Sequence, residues 1–478
     1  MEKYMGNKSK ICQQIYEITK ATLGKESNIT VFDPFSGTTN VSRYFKNQGI
    51  DVICNDINDL SYVLAKCYIE CSKIPTFERL FANKEFVAKI NGLFSSIDTA
   101  SQTFISDNRN TTDISFINRI RNTNYLYLLV YLTYFASEQD WSEQYDPYYL
   151  MQKNYCEDGE HSKYLNQVHK KTIENLKKSF SKHSEEQRLV DAFLEYPYSV
   201  CYLEELSDVL LRHSRYREKE IVDSLLKKNL VGSRRFFSVA HGKRIDIILN
   251  VINYWYKAGL LEELEYYVLQ TAVLESIAIF SNTSATYQAF YKDYKANTQQ
   301  RFRLVIPVID ETKIHAKIYQ EDVCALISKV DADVLYLDPP YNWRQYDSNY
   351  HLLNTVARFG KIRDWSQFEK GIVGASGENR EEKLKYTSFN VKKGFEDLLM
   401  QIIQSSPCNT IVLSYSDSKS NHERDEINTT LNALQEFFGN RELFVNYRMH
   451  QIQSVNFESR KGNKKNSINE LLFIAQRH

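Results

Sequence analysis

Two short apolar runs in this chain stop in the same way. ITVFD at 29–33 and VLYLD at 334–338 each end on an aspartate that is followed at once by proline. Such a run reads as a buried strand, because proline fixes its own φ and offers no amide to a neighbouring strand. After the first run come a turn, PFSG, a helical pattern over 39–48, a strand at 50–55 (IDVICN) and a helical pattern over 58–72. That rhythm calls for parallel strands joined by crossover helices. It returns after the second run, with a helix over 393–404, the strand TIVLSYS at 410–416 and a helix over 424–438. ELFVNYRMHQ and SINELLFIAQ then form a closing hairpin around the polar ESRKGNKKN at 458–466. An amphipathic helix over 11–22, with apolar positions at 11, 15 and 18, precedes everything. The expected fold is α/β, a mainly parallel sheet with an antiparallel hairpin at one edge.

Between the two halves the pattern changes. Residues 76 to about 265 carry helix-type periodicity without strand alternation. Within them, QRLVDAFLEY, LEELSDVLLRH and REKEIVDSLLKKNL precede VGSRRFFSVAHG at 231–242, an order that suits three helices and a β-wing. A winged helix over 187–246 and a plain helical bundle with a surface loop are both compatible with it. The expected division is a catalytic unit of 1–75 and 265–478 interrupted by a helical insertion over 76–264.

Bulk chemistry narrows the class. A chain of 478 residues with 42% hydrophobic residues has enough for more than one core. Sixteen Gly and eight Pro are too few for long disordered linkers. Sixty basic residues balance sixty acidic ones, so any nucleic-acid contact must come from a local basic face. The eight cysteines form no CxxC pair, which argues against zinc and for reduced thiols in a cytosolic protein. MEKYMGNKSK lacks the apolar run of a signal peptide, and no stretch has about 18 uninterrupted apolar residues, so no membrane partner is expected.

Chemistry concentrates where strands end, the edge at which open α/β sheets bind ligands. In ITVFDPFSGTTNVSRYF, an acid and a turn containing Gly37 suit a cofactor bearing hydroxyls or an ammonium group; the plain alternative is a turn with Asp33 capping a helix. Asp56 follows the second strand and is placed for ribose hydroxyls, with Asp59 as a competitor. DPPY at 338–341 is the most specific signal. Two prolines make a rigid ledge whose carbonyls face outward beside Asp338, and Tyr341 is an aromatic platform. An exocyclic adenine amine fits these parts, held by Asp338 and the Pro339 carbonyl with its ring on Tyr341.

DPFSG followed much later by DPPY resembles the α-group, Dam-like DNA adenine-N6 methyltransferases, the D12 class that includes type II modification enzymes. YMGNKSK is similar to that family's first motif, and SNTSATYQAF (281–290), RQYDSNYHLLNT and TIVLSYSD resemble further segments. The resemblance covers about 1–75 and 265–478. It implies a Rossmann-like class I fold using S-adenosylmethionine, with double-stranded DNA as partner and a cognate restriction endonuclease or defence component as a further one. Residue by residue, it implies cofactor roles for Tyr4, Gly6, Lys8, Asp33, Pro34, Phe35, Gly37 and Asp56. Asp322, 16 residues before Asp338, matches a residue that contacts the cofactor's adenine, with Glu321 adjacent. Asp338, Pro339, Pro340 and Tyr341 match the catalytic motif. Asn7 departs from the pattern, which commonly has a small residue there. For DNA the candidate contacts are Arg234 and Arg235 on the expected wing, and Lys461 and Lys464 in the terminal hairpin. RNA methylation, cytosine-N4 methylation and a binding-only regulator are the competing readings; an Asp rather than Ser at 338 favours adenine over cytosine.

Overall fold

A computed structural model of the chain describes residues 7–24, 29–157, 163–165, 231–340, 346–379, 395–416, 429–455 and 467–478. Its centre is a seven-stranded sheet: β1 (Thr30–Asp33), β2 (Asp51–Asn55), β3 (Ala316–Tyr319), β4 (Val334–Leu337), β5 (Thr410–Ser416), β6 (Phe444–Val455) and β7 (Ser467–Arg477). The strands lie in the order β6-β7-β5-β4-β1-β2-β3. β3, β2, β1, β4 and β5 run parallel to one another, while β7 runs antiparallel to both β5 and β6. This is the mixed, mainly parallel Rossmann-like sheet expected. β3 was not legible as a strand: AKIY is an edge strand, half-exposed except at exposed Lys317, and its short run lacks a clean apolar pattern.

The helices that bear on the site are α1 (Cys12–Leu23), α2 (Asn40–Asn47), α3 (Asp59–Ala65), α4 (Lys84–Asn108), α5 (Asn124–Tyr134), α6 (Val239–Lys257), α7 (Glu263–Phe280), α8 (His351–Ala357), α9 (Phe395–Ser405) and α10 (Thr429–Gly439). Alternation along the strands sorts side chains to two faces. Val31, Val52, Val334, Val412 and Leu472 share a core with Ile11, Ile15, Val41 and Phe45 of the α1–α2 side. Phe32, Leu335, Leu337, Leu413 and Phe473 share another with Leu399, Ile402, Leu434 and Phe438 of α9 and α10. Each such side chain, fully withdrawn from water, stabilises the fold by roughly 1.5–3 kcal/mol.

A third core joins the helical parts and runs without a break from Leu60 of α3 through α4, α5, α6 and α7 to Leu352 of α8 and Ile372. The expected wing is not formed as a hairpin. Val231–Ser233 pairs instead with Lys163–Leu165, and helix α6 begins at Val239. The reason is local: the Ser238 hydroxyl accepts the His241 amide at 3.3 Å as an N-cap, and Ile245, Ile248, Leu249 and Ile252 then recur on a helical period. The other helices expected of a winged helix, over 187–230, lie outside the described residues. Among the described residues no helix is long and apolar enough to cross a membrane.

Candidate active site

Three adjacent strands end on acids. Asp33 is the last residue of β1, Asp56 directly follows β2, and Asp338 directly follows β4. Parallel pairing of β4, β1 and β2 brings all three to one edge of the sheet.

Asp33 is buried, and its carboxylate accepts the Ser42 hydroxyl at 2.5 Å and the Phe35 amide at 3.3 Å. Loss of water raises its carboxyl to about 7, with Asp338 pushing the same way and the Ser42 bond opposing. Asp56 accepts the Gly37 amide at 2.9 Å and the Asn58 amide at 2.9 Å; burial raises its carboxyl too. Gly37 takes φ +49°, in the left-handed region open to glycine, which turns its amide toward Asp56. The competitor Asp59 faces Arg358 at 3.7 Å and Lys361 at 3.3 Å instead. Pro34 is buried and Phe35 half-buried in the same turn.

Asp338 is half-buried and meets Lys8, whose Nζ lies 3.2 Å from Oδ1. Lys8 itself stands just before α1, where its carbonyl accepts the Ile11 and Cys12 amides at 2.8 and 3.1 Å. The same Nζ lies 3.0 Å from Oε1 of buried Glu470 on β7, which also accepts the Ser414 hydroxyl of β5 at 2.6 Å. Burial raises the Asp338 carboxyl to about 6, with Lys8 lowering it and Glu470 raising it. Pro339 is buried and Pro340 half-buried beside it.

Other sequence candidates divide. Asn7, the departure from the family pattern, uses its side-chain oxygen to accept from the Ser9 amide at 2.8 Å and from Asn40 of α2 at 2.7 Å, so it pins the first motif to the helix after the DPFSG turn. Asp322 lies past the end of β3, exposed, and caps the turn Val323–Leu326 through the Cys324 amide at 2.8 Å. Glu321 is held by its backbone: its amide donates to Asn55 Oδ1 at 2.9 Å and its carbonyl accepts from Asn55 Nδ2 at 3.0 Å. Tyr4, Gly6, Tyr341, Lys461 and Lys464 lie outside the described residues.

Arg234 is corrected. It is fully buried, and its guanidinium donates to the Asn154 carbonyl at 3.3 Å and the Gly374 carbonyl at 2.7 Å, so it ties the insertion to the segment after α8 and presents no charge to a phosphate. Arg235 is half-buried; it pairs with Glu157 at 3.2 Å and donates to the Lys292 carbonyl at 2.5 Å. Sequence reasoning missed Glu470, Ser414 and Asn55. Glu470 had a signal: a carboxylate inside the apolar run of a closing strand needs a buried partner. Asn55 sits at a strand end and links the Pro34 carbonyl, at 3.2 Å, to Glu321.

With this geometry in place, comparison with known proteins decides the family. The model of the D12 class N6 adenine-specific DNA methyltransferases matches residues 4–198 and 202–361. The chain belongs to that family. Its curated relatives include the modification methylase StsI of Streptococcus sanguinis, 30% identical over 320 residues that cover 64% of this chain and 42% of the relative. The type II methyltransferase M.FokI of Planomicrobium okeanokoites is 31% identical over 246 residues, 51% of this chain and 35% of its own length. M.NlaIII of Neisseria lactamica is 29% identical over 248 residues, 51% of this chain and 68% of the relative. The chain thus spans less than half the length of the first two. No solved structure matches. For a D12-class chain, the match contains the acids of β1, β2 and β4, but β5, β6 and β7, with Ser414 and Glu470, fall beyond its end at residue 361.

Proposed function

We propose that this chain transfers a methyl group from S-adenosylmethionine to N6 of an adenine flipped out of duplex DNA. The observation that carries the reading is the acid edge of the sheet, where Asp33, Asp56 and Asp338 end three neighbouring strands and Lys8 is bonded to the last. The donor set fits a cationic nucleoside. Asp33 and Asp56 are costly to ionise where they are, and a ligand carrying sulfonium and ammonium charge relieves that cost. The Ser36 hydroxyl in the turn is buried with no hydrogen-bond partner among the described residues, which suits a polar ligand group there. Asp56 accepts the Gly37 and Asn58 amides and so holds the turn at which a ribose would bind. S-adenosylmethionine, when bound, supplies an activated sulfonium methyl group.

The residues of the chain do the rest. Asp338 and the Pro339 carbonyl accept the two amine hydrogens of adenine. That localises the nitrogen lone pair, the carboxylate stabilises the positive charge that develops on the nitrogen, and one of the two hydrogens leaves as a proton to solvent once the N–methyl bond has formed and the sulfur–methyl bond has broken. Alignment of amine and methyl is the main catalytic demand, and a rigid Pro-Pro ledge meets it. Tyr341 is assigned by the motif to stack on the extruded ring. Arg235, Lys461 and Lys464 are proposed phosphate contacts, each expected to reduce the salt dependence of DNA binding when its charge is removed. The names of the relatives, modification methylase and type II methyltransferase, support a modification mark and leave room for a companion restriction endonuclease.

The test is nucleoside mass spectrometry of DNA from a methylation-free host expressing the chain or its Asp338→Ala variant. N6-methyladenine in the first DNA and not the second is expected. Its absence from DNA, with methyladenine appearing in RNA instead, overturns the choice of substrate.

A further inference from the structure

We propose that Glu470 is a positioning residue for methyl transfer, sharing the Lys8 ammonium so that Asp338 is held in place without being neutralised. This rests on the reading of Asp338 given above. Because β7 runs antiparallel to β5, its opening residues meet the last residues of β5, with Glu470 opposite Ser416. That register brings an acid from the far end of the chain to the edge where β4 ends. Lys8 Nζ then stands between two carboxylates, 3.2 Å from Asp338 Oδ1 and 3.0 Å from Glu470 Oε1. Glu470 is almost wholly buried, 3% exposed, and the Ser414 hydroxyl at 2.6 Å fixes its oxygen. A buried acid in an apolar strand is costly unless charge and hydrogen bonds answer it; Ser414 supplies the hydrogen bond, and the charge comes from the ammonium that also holds Asp338.

The electrostatics follow from the geometry. An ammonium devoted to Asp338 alone would hold it firmly but draw off its electron density, making it a weaker acceptor for the amine. Divided between two carboxylates, Lys8 fixes Asp338 through one oxygen and leaves the other for substrate. The titratable groups around Asp338 are Lys8 before α1, Cys12 on α1, Asp33 on β1, Tyr336 on β4 itself and Glu470 on β7. Of these, Lys8 and Glu470 are the largest charged influences, acting in opposite senses.

Glu470→Gln keeps the shape and removes the charge. Two readouts on the full chain test it: the Asp338 carboxyl titration by 13C NMR of aspartate-labelled protein, assigned with Asp338→Asn, and the pH profile of kcat/KM. Glu470→Gln should move both down by about one pH unit, the shift expected from losing a like charge a few ångströms away. kcat should fall about tenfold. Glu470→Asp should return the profile toward wild type. Ser414→Ala removes only a hydroxyl and should move the titration the other way, since an unanchored Glu470 draws Lys8 more strongly; it decides the matter if Glu470→Gln does not fold. A folded variant whose Asp338 titration and acid limb both stay in place overturns the proposal. If the titration moves but the wild-type chain methylates no adenine, the functional reading has failed and the positioning role falls with it.

Discussion

Binding of S-adenosylmethionine should be strongly pH-dependent through Asp33. This carboxyl is 2% exposed and lies at about 7 against an ordinary 3.8. The shift of roughly three pH units corresponds to ~4 kcal/mol of differential cost between its two forms, an order of magnitude that needs no discount for solvent. A raised carboxyl favours folding most below its unfolded value. Asp33's contribution to stability is therefore fully present below about pH 4 and is lost as pH rises through about 7. A cation that binds only the ionised form reverses this: affinity rises with pH until Asp33 is ionised. About 3% is ionised at pH 5.5 and about half at pH 7.0, so the apparent Kd should fall roughly fifteenfold over that window. Staying at or below pH 7.0 keeps the cofactor's own amine, at about 7.7–8.0, largely protonated.

Isothermal titration calorimetry in two buffers of different ionisation enthalpy reads both quantities. About one proton should be released per cofactor at pH 5.5 and about half a proton at pH 7.0. Asp33→Asn should bind more weakly at pH 7.0 and lose the slope. A Kd constant within about twofold across the window, or an Asp33→Asn variant that keeps the full slope, would refute the link between burial of this acid and cofactor charge.

Three further outcomes follow from particular contacts. Arg234→Met should destabilise the protein by ~2–4 kcal/mol in urea unfolding, because the Asn154 and Gly374 carbonyls lose a charged donor, while the salt dependence of DNA binding by the folded variant stays at the wild-type slope. Asp246, fully buried on α6, accepts the Met151 and Gln152 amides at 2.9 and 2.8 Å; Asp246→Leu should cost ~2–4 kcal/mol by the same assay, and Asp246→Asn distinctly less. A Cβ on Gly242 would lie 2.0 Å from Cys156 Sγ, so Gly242→Ala should lower stability by ~1–3 kcal/mol, and adding Cys156→Ala should recover most of it.

The sheet was legible wherever apolar runs ended sharply. β1, β2, β4 and β5 match their expected spans within a residue because burial on both faces leaves little room for polar residues. The acids of β1, β2 and β4 were legible for the same reason, since an acid that ends a buried strand is conspicuous. The wing failed because Arg234 and Arg235 were read as surface charge, whereas Phe236 and Phe237 beside them are fully buried and draw the segment inward. The guanidinium of Arg234 then meets carbonyls from distant segments, and sequence spacing says nothing of Gly374. Glu470 escaped notice because its partner Lys8 lies at the opposite end of the chain and the pairing exists only through the β5–β7 register.

The connections between strands account for how the rest of the site is assembled. The helical core is fed by two connections: β2 to β3, which carries α3 to α7, and β4 to β5, which carries α8. Both leave the sheet at strand ends that bear acids, one just after Asp56 and the other just after Asp338. They are joined at once: Asn354 of α8 accepts the Leu60 amide at 3.2 Å and donates to Asn58 at 3.3 Å and to Asp347 at 2.9 Å. Asn58 in turn donates its amide to Asp56. The segment after the Pro-Pro ledge is therefore tied by side chains to the turn that holds Asp56. Two connections that leave one edge and share one core cannot shift independently, since interiors pack too densely to yield to one part alone. A target base at the ledge and a cofactor at the acids would thus be held by one rigid unit, which is what alignment of two reactants requires.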